Sequence, residues 1–251
     1  MRLRISPSAL GSYEHCPVHF QMAYIDKVKP MFRGTTYSIL GISVHEAIEK
    51  FHALEVKDLV TLQMMFEGLF KQKTTEQLPM LPYDTYLTFL EAGKAMLINY
   101  FNYDIVQGNV KNVLHTEKKF VVDCGDFDLV GIVDRSYQFG DKVQVVDYKT
   151  STSVRSQKDV DKDVQLSLYS WMYRKVLNLL PDSLCLHFLR SDKKVYTSRT
   201  EADLDVFYNS IVKFKDKVMA QTEFEPNFKG CGICDYKFNC QAAKKKRIPL
   251  I

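Results

Sequence analysis

The 251-residue chain lacks an apolar run long enough to cross a bilayer. Its longest uncharged stretch, residues 34–45, has 12 residues, whereas a membrane helix needs about 20. The opening Met1-Arg-Leu-Arg-Ile5 leads through Ser-Pro-Ser to Glu14 without an apolar segment, so no secretory leader is predicted. The expectation is an intracellular, cytoplasmic protein with no membrane partner. Internal repeats, Gly/Ser linkers and low-complexity tracts are also missing, which predicts one continuous domain over residues 1–251. No G-x-x-x-x-G-K-[ST] loop is present, so no phosphate-loop motor shares the polypeptide. His45-Glu46-Ala47-Ile48-Glu49 lacks the second histidine of H-E-x-x-H, which excludes a zincin-type protease. Nor is one sign of charge in large excess. Lys plus Arg (34) minus Asp plus Glu (30) leaves +4, and Lys244, Lys245, Lys246 and Arg247 alone supply four positive charges. Attraction for nucleic acid is therefore confined to local patches, such as this basic run.

What is present is a globular composition, 46% apolar and 25% charged, with ample length for a core. Six cysteines without a leader read as metal ligands and core thiols rather than a disulfide framework. Cys231, Cys234 and Cys240 form C-x2-C-x5-C, and Cys16 stands apart near the N-terminus. Four thiolates suit a structural zinc and an iron-sulfur cluster equally. Cys124 and Cys185 fall in strand-like runs and read as core thiols. His15 and His19, beside Cys16, read as packing or surface residues.

Ser6-Pro7 predicts a capped helix running toward Cys16. Val44, Ala47, Ile48, Phe51 and Leu54 recur at helical spacing and place His45 beside a buried stripe. Residues 59–71 and 83–103 also read as helices, separated by Pro79 and Pro82. From Lys111 the character changes. Residues 113–122, 127–139 and 143–150 are rich in β-branched and aromatic residues and read as strands. A buried helix over residues 164–180, strands over 184–190 and 195–199, and a helix over 202–219 complete the pattern. The expectation is a mixed α/β core (111–200) between an N-terminal helical region (1–110) and a C-terminal helix with a cysteine tail (201–251).

A two-residue turn at Gly140-Asp141 would pair residues whose numbers sum to 281 and set Asp134 opposite Asp147. Like charges so placed destabilise a sheet, so something positive is expected between them. Side chains alternate along a strand, which puts Lys149 on the Asp147 face. Two acids and a lysine thus converge at the end of an apolar strand pair, a donor set that suits Mg²⁺ or Mn²⁺. Taken alone, Asp-Tyr-Lys is equally an ordinary surface ion pair. Gln165 and Tyr169, four apart, share a helix face, as substrate contacts or as packed core groups.

In their order and spacing these segments resemble the PD-(D/E)XK nuclease superfamily, specifically the RecB-like exonucleases and the CRISPR-associated Cas-four family. The resemblance rests on Ile5-Ser-Pro-Ser-Ala-Leu-Gly-Ser-Tyr-Glu-His-Cys16-Pro, Gly41-Ile-Ser-Val-His45, Gly131-Ile-Val-Asp134-Arg135, Asp147-Tyr-Lys149-Thr150, Gln165-x3-Tyr169 and the terminal cysteines. It implies a restriction-endonuclease-like core and a metal held by His45, Asp134, Asp147 and the Tyr148 carbonyl. Lys149 would stabilise charge and position the attacking water, with Gln165 and Tyr169 on the substrate strand. It also implies a [4Fe-4S] cluster on Cys16, Cys231, Cys234 and Cys240, which would staple the chain's two ends. The expected activity is a Mg²⁺- or Mn²⁺-dependent DNA exonuclease acting mainly on single strands or frayed ends, in recombination, repair or CRISPR adaptation. A flap or nicking endonuclease, and a catalytically idle DNA-end adaptor for a CRISPR integrase, are the alternatives, and a separate helicase is a further partner to expect.

Overall fold

The computed structural model describes residues 2–30 and 34–246. In chain order its principal elements are β1 (Leu3–Ile5), α1 (Pro7–His15), α2 (Pro17–Phe20), α3 (Thr36–His52), α4 (Leu59–Gln77), α5 (Tyr83–Phe101), β2 (Val113–Asp123), β3 (Phe127–Phe139) and β4 (Lys142–Lys149). They continue with α6 (Gln157–Asp161), α7 (Val164–Leu177), β5 (Ser183–Phe188), β6 (Lys193–Thr197), α8 (Glu201–Ala220) and α9 (Gln241–Lys245). This is a mixed α/β fold with a mixed sheet, as expected. Among the described residues no helix is long and apolar enough to cross a membrane.

Two compact units share the chain, one from residues 34–119 and 132–200, the other from the described residues of 1–33, 120–131 and 201–251. The long strands β2 and β3 contribute residues to both.

In the first unit the β3–β4 hairpin turns on Gly140 in the left-handed conformation (φ 65°). Its register runs from Phe139↔Lys142 to Arg135↔Val146, the pairing that the turn dipeptide predicts. β4 pairs in parallel with β5, and β5 antiparallel with β6. Here the strand ends depart from expectation. β5 stops at Phe188 because residues 189–192 form the turn into β6, with Asp192 at φ 51°. Tyr196 consequently pairs with Cys185, and β6 closes at Thr197. α7 ends at Leu177 rather than Leu180, since Asn178 adopts the left-handed conformation that terminates helices (φ 54°). α3 starts earlier than its apolar stripe suggests. Thr35 and Ser38 cap it reciprocally, Thr35 N donating to Ser38 Oγ at 2.7 Å and Ser38 N to Thr35 Oγ1 at 3.3 Å, a capping box with serine in the position usually held by Glu or Gln.

The core of this unit joins Val44, Ile48 and Phe51 of α3, Leu62, Phe66 and Phe70 of α4, and Met96, Leu97 and Tyr100 of α5 to Tyr137, Val146 and Tyr148 of the hairpin. Within it lies a buried ion pair that sequence periodicity did not reveal. Arg135 and Asp104 are both fully buried, with Nη2 2.7 Å from Oδ2. Tyr100 and Tyr137 donate to the same carboxylate at 3.0 and 2.5 Å. Arg135 Nη2 also donates to His52 Nδ1 at 2.9 Å, so that ring nitrogen must be an acceptor. Burial, then Arg135 and Lys57, lower the His52 pKa to about 3 and keep the ring neutral.

In the second unit β1 pairs in parallel with the start of β3, Leu3↔Phe127 to Ile5↔Leu129. Three residues are too few to show a period, and this strand was not expected. Ser6 caps α1 by accepting from Ala9 N at 3.1 Å, with Pro7 in the first turn.

Gly93 of α5 gives the clearest packing test. A Cβ there would stand 2.0 Å from the Phe66 ring, and Phe66 is fully buried. Gly93→Ala should therefore destabilise by about 1–3 kcal/mol through overpacking. Gly68 of α4 has nothing within 4 Å of its Cβ position, so Gly68→Ala should stabilise by about 0.5–1 kcal/mol from helix propensity alone. Urea unfolding of the two variants should give opposite signs; equal signs would contradict the packing described.

Candidate active site

The hairpin register carries the site. The β3–β4 ladder closes at Arg135↔Val146, and one step further Asp134 meets Asp147. There Asp134 Oδ2 accepts the Tyr148 amide at 2.8 Å, so a side chain takes over from the ladder and ties Asp134 to the neighbouring strand. The predicted cation is in place. Lys149 Nζ stands 2.7 Å from Asp147 Oδ2 and donates to Gln165 Oε1 at 2.7 Å. Gln165 Nε2 donates to Tyr169 Oη at 2.6 Å, and the Tyr169 hydroxyl returns to Asp147 Oδ1 at 3.3 Å. Asp147, Lys149, Gln165 and Tyr169 thus form a closed ring between β4 and α7. In it Gln165 and Tyr169 orient the lysine and the acid.

α3 brings His45 to the other side of Asp134, Nδ1 lying 3.6 Å from Oδ2. The approach needs Gly41, one turn earlier, whose Cβ position is only 3.0 Å from Thr150 Oγ1 at the end of β4. This gives a steric reason for the glycine in Gly41-Ile-Ser-Val-His45.

Glu117 of β2 is a group the sequence did not single out. One ligand atom each of His45, Glu117 and Asp134 lie within 4.8 Å of one another. Glu117 sits in a strand at φ 46°, a left-handed conformation costly for a non-glycine residue. That kink breaks the alternation on which strand reading depends, so periodicity gave no signal for it. His45, His52, Glu49 and Glu117 line an open cleft of about 960 Å³.

The site is oversupplied with negative charge. Burial, reinforced by Asp134, Glu49 and Asp147, pushes the Glu117 carboxyl up to about 8. Burial and then Asp147 raise Asp134, with His45, the Tyr148 amide and Lys149 opposing. Burial would lower the Lys149 ammonium, but Asp147 and Asp134 outweigh it and the net shift is upward. Hard oxygen donors and one imidazole, crowded enough to perturb each other's ionisation, fit a divalent cation of the Mg²⁺ or Mn²⁺ kind. Tyr148 contributes its amide to Asp134 and its hydroxyl to Tyr137, and its carbonyl lies in the strand between Asp147 and Lys149.

The four cysteines belong to the second unit. Cys16, Cys231, Cys234 and Cys240 are free thiols that line one small cavity. Asn227 N donates to Cys16 Sγ at 3.3 Å and Ala243 N to Cys240 Sγ at 3.5 Å. Burial, then the neighbouring thiols, raises the Cys231 pKa. Their sulfurs are not drawn tightly together: among the described residues, only His45, Glu117 and Asp134 place three potential ligand atoms within 4.8 Å of each other. His15 and His19 stand in the same cavity wall, His19 edge-on to Tyr236 at 4.9 Å. Cys185 is fully buried in the first unit and Cys124 half-buried in β3's approach. Lys244, Lys245 and Lys246 are exposed; Arg247, the last of that run, lies outside the described residues.

Comparison with known proteins agrees with this geometry. The sequence pattern of the PD-(D/E)XK nuclease superfamily matches residues 4–241, and the chain belongs to that superfamily. A crystal structure of a putative exonuclease from Eubacterium rectale superposes with a TM-score of 0.58 at 10% identity, covering 99% of this chain and 90% of the other. The structure of SSO0001 is more distant, with a TM-score of 0.41 at 17% identity over 84% of this chain and 99% of that one. No curated protein matches.

If Glu117 and Asp134 repel each other until a cation joins them, Mn²⁺ must stabilise the folded protein. At 100 times its Kd, mass action contributes about 2.7 kcal/mol, a rise in Tm of roughly 5–10 °C for a chain of this size. Glu117→Gln should lose most of that rise. The sign for pH is definite. A carboxyl whose folded pKa lies above its unfolded 4.5 favours folding when protonated and loses that contribution as pH rises toward about 8. Metal-free Glu117→Gln should accordingly gain on wild type across this range in paired melting curves; a gap that stays constant would contradict the crowding.

Proposed function

We propose that the chain is a Mg²⁺- or Mn²⁺-dependent exodeoxyribonuclease acting mainly on single-stranded DNA or frayed ends. The observation that carries this reading is the His45, Glu117 and Asp134 group lying beside the Asp147–Lys149 pair. His45, Glu117 and Asp134 would hold the cation, with Asp147 and the Tyr148 carbonyl supplied by the adjoining strand. When bound, a divalent cation polarises a phosphodiester oxygen and acidifies water.

The protein's own groups do the remainder. The Lys149 ammonium compensates the negative charge that develops on the phosphate and orients the water that attacks it. Gln165 accepts a second hydrogen bond from that ammonium and so fixes its direction beside Asp147, and Tyr169 holds Asp147 through its other oxygen. The open cleft beside α3 has room for a strand to lie along the metal group, and the exposed Lys244, Lys245 and Lys246 offer contacts to phosphates.

For the cysteines we favour a [4Fe-4S] cluster over zinc. The support for it is the resemblance of the motifs, one N-terminal cysteine with three near the C-terminus; four thiolates suit zinc as well. A cytoplasmic role in recombination, repair or CRISPR adaptation, with a separate helicase or an integrase as partner, follows from the resemblance of the motifs.

The test uses anaerobically purified protein with 5′- and 3′-labelled single and double strands in Mg²⁺ or Mn²⁺. Stepwise shortening from an end is expected, with single strands preferred. Discrete internal products would favour the flap or nicking reading, and binding without products the adaptor reading. Lys149→Ala should slow cleavage about 10²–10³-fold while the Mn²⁺-dependent rise in Tm persists; cleavage at the wild-type rate would remove Lys149 from the mechanism. The same preparation should be brown and contain iron and sulfide, whereas a colourless protein with stoichiometric zinc would decide for the alternative.

A further inference from the structure

The cleft that His45 and Glu117 line is acidic, yet a nuclease must draw a polyanion into it. Its wall holds Glu46, Glu49 and Glu117, and Lys50 is the one Lys or Arg of that wall among the described residues. A cation at the metal group offsets the charge of one phosphate and leaves the neighbouring phosphates facing acids. Whatever favours those neighbours must come from the wall itself.

Lys50 is prepared for this by a pairing that α3 alone does not provide. Its Nζ stands 2.7 Å from Glu46 Oε1, one turn earlier on the helix. By itself that contact is an ordinary i,i+4 pair whose charges cancel. α4 then adds Lys73, with Nζ 2.8 Å from Glu46 Oε2. Two ammoniums thus share one carboxylate, and the group stays net positive. The two lysines differ in exposure. The Lys73 side chain is 21% exposed and the Lys50 side chain 53%, and of the two only Lys50 lines the cleft. Because Lys73 also holds Glu46, Lys50 can turn to another anion without leaving the carboxylate unpaired. An ammonium carries three rotatable donors on a flexible stem, which suits it to a phosphate of variable position. Along α3, Lys50 lies about 7.5 Å beyond His45, against a rise of about 3.4 Å per nucleotide of a helical strand.

We propose that Lys50 is a substrate-positioning residue that takes a backbone phosphate of the DNA strand one or two nucleotides from the linkage at the metal group, exchanging Glu46 for it while Lys73 keeps Glu46 paired. This rests on the nuclease reading above. Glu46 then competes with DNA for Lys50, so changes at the two positions act on binding with opposite signs. A lysine that only pairs Glu46 does not produce that combination.

The experiment is fluorescence anisotropy of a labelled oligothymidylate in EDTA, where it is not cleaved, over a range of salt, alongside kcat and KM for its cleavage in Mn²⁺. Lys50→Met should weaken binding about threefold, the size of an exposed charge pair. It should flatten the log–log salt dependence by about 0.7, one single-strand phosphate contact. KM should rise by a similar factor with kcat unchanged, and Lys50→Arg should restore both. Lys71→Met removes an equal charge from the separate hollow between α4 and α5 that Tyr83 and Tyr86 line, and should change neither the salt slope nor KM. Glu46→Gln frees Lys50 and should tighten binding about threefold, a gain that shrinks in the Lys50→Met background because the two positions are coupled. An unchanged salt slope in Lys50→Met, or an equal loss in Lys71→Met, would overturn the proposal, as would a Glu46→Gln gain of the same size with and without Lys50. Wild-type protein that binds no oligonucleotide would remove the nuclease reading itself, an outcome distinct from loss of the Lys50 contact alone.

Discussion

The hairpin register that brings the candidate site's acids together depends on a charge buried on the other side of the sheet. Arg135 and Asp104 have no exposure to solvent, and an isolated ion in such a place costs several kcal/mol. The surrounding groups make the burial tolerable. Two tyrosine hydroxyls reach Asp104, and neutral His52 and Thr116 accept from Arg135. Because His52 Nδ1 accepts, its Nε2–H is directed at Tyr100 Oη, and Tyr100 donates onward to Asp104. The donors and acceptors close into a ring. Buried pairs of this kind contribute little net stability, yet breaking one is expensive, so their effect is to forbid alternatives. Arg135 and Tyr137 occupy one face of β3, and Asp134 is forced to the other. A slip of one residue would expel Arg135 and drive Asp134 into the apolar cluster, since a shift of one inverts every side chain. The network on one face thus holds the register that assembles the acids on the other.

The site that results is electrostatically incomplete by construction. After burial, Asp134 raises the Glu117 pKa and Asp147 raises that of Asp134, and the Lys149 ammonium is engaged by Asp147 and Gln165. A left-handed Glu117 and the close contact of Gly41 with Thr150 are conformations that a merely structural surface has no need to adopt. Both move a ligand toward the same point, and the structure around them supplies the stability that holds them there.

Much of this was legible in the sequence because it is local. Gly140-Asp141 sets the hairpin, its register places Asp134 by Asp147, and alternation adds Lys149. The helical pair Gln165 and Tyr169 falls on the right face by spacing alone. Glu117 was illegible because its backbone departs from the strand period at that residue. Asp104 and Arg135 were illegible for a different reason: buried charge carries no periodic signature, and its partner is known only once α5 and β3 are packed. β1 was too short to read, and the ends of β5, β6 and α7 were set by Asn178 and Asp192 entering the left-handed region, which neither residue type reveals by itself. The cysteine spacing named four candidate ligands but not a metal.

Crystals soaked in Mn²⁺ and measured near the manganese absorption edge test the central claim most directly. The account predicts a dominant anomalous peak bounded by His45, Glu117 and Asp134, absent from Asp134→Asn crystals. Manganese bound elsewhere at saturating concentration, or an unchanged peak in the variant, would contradict it.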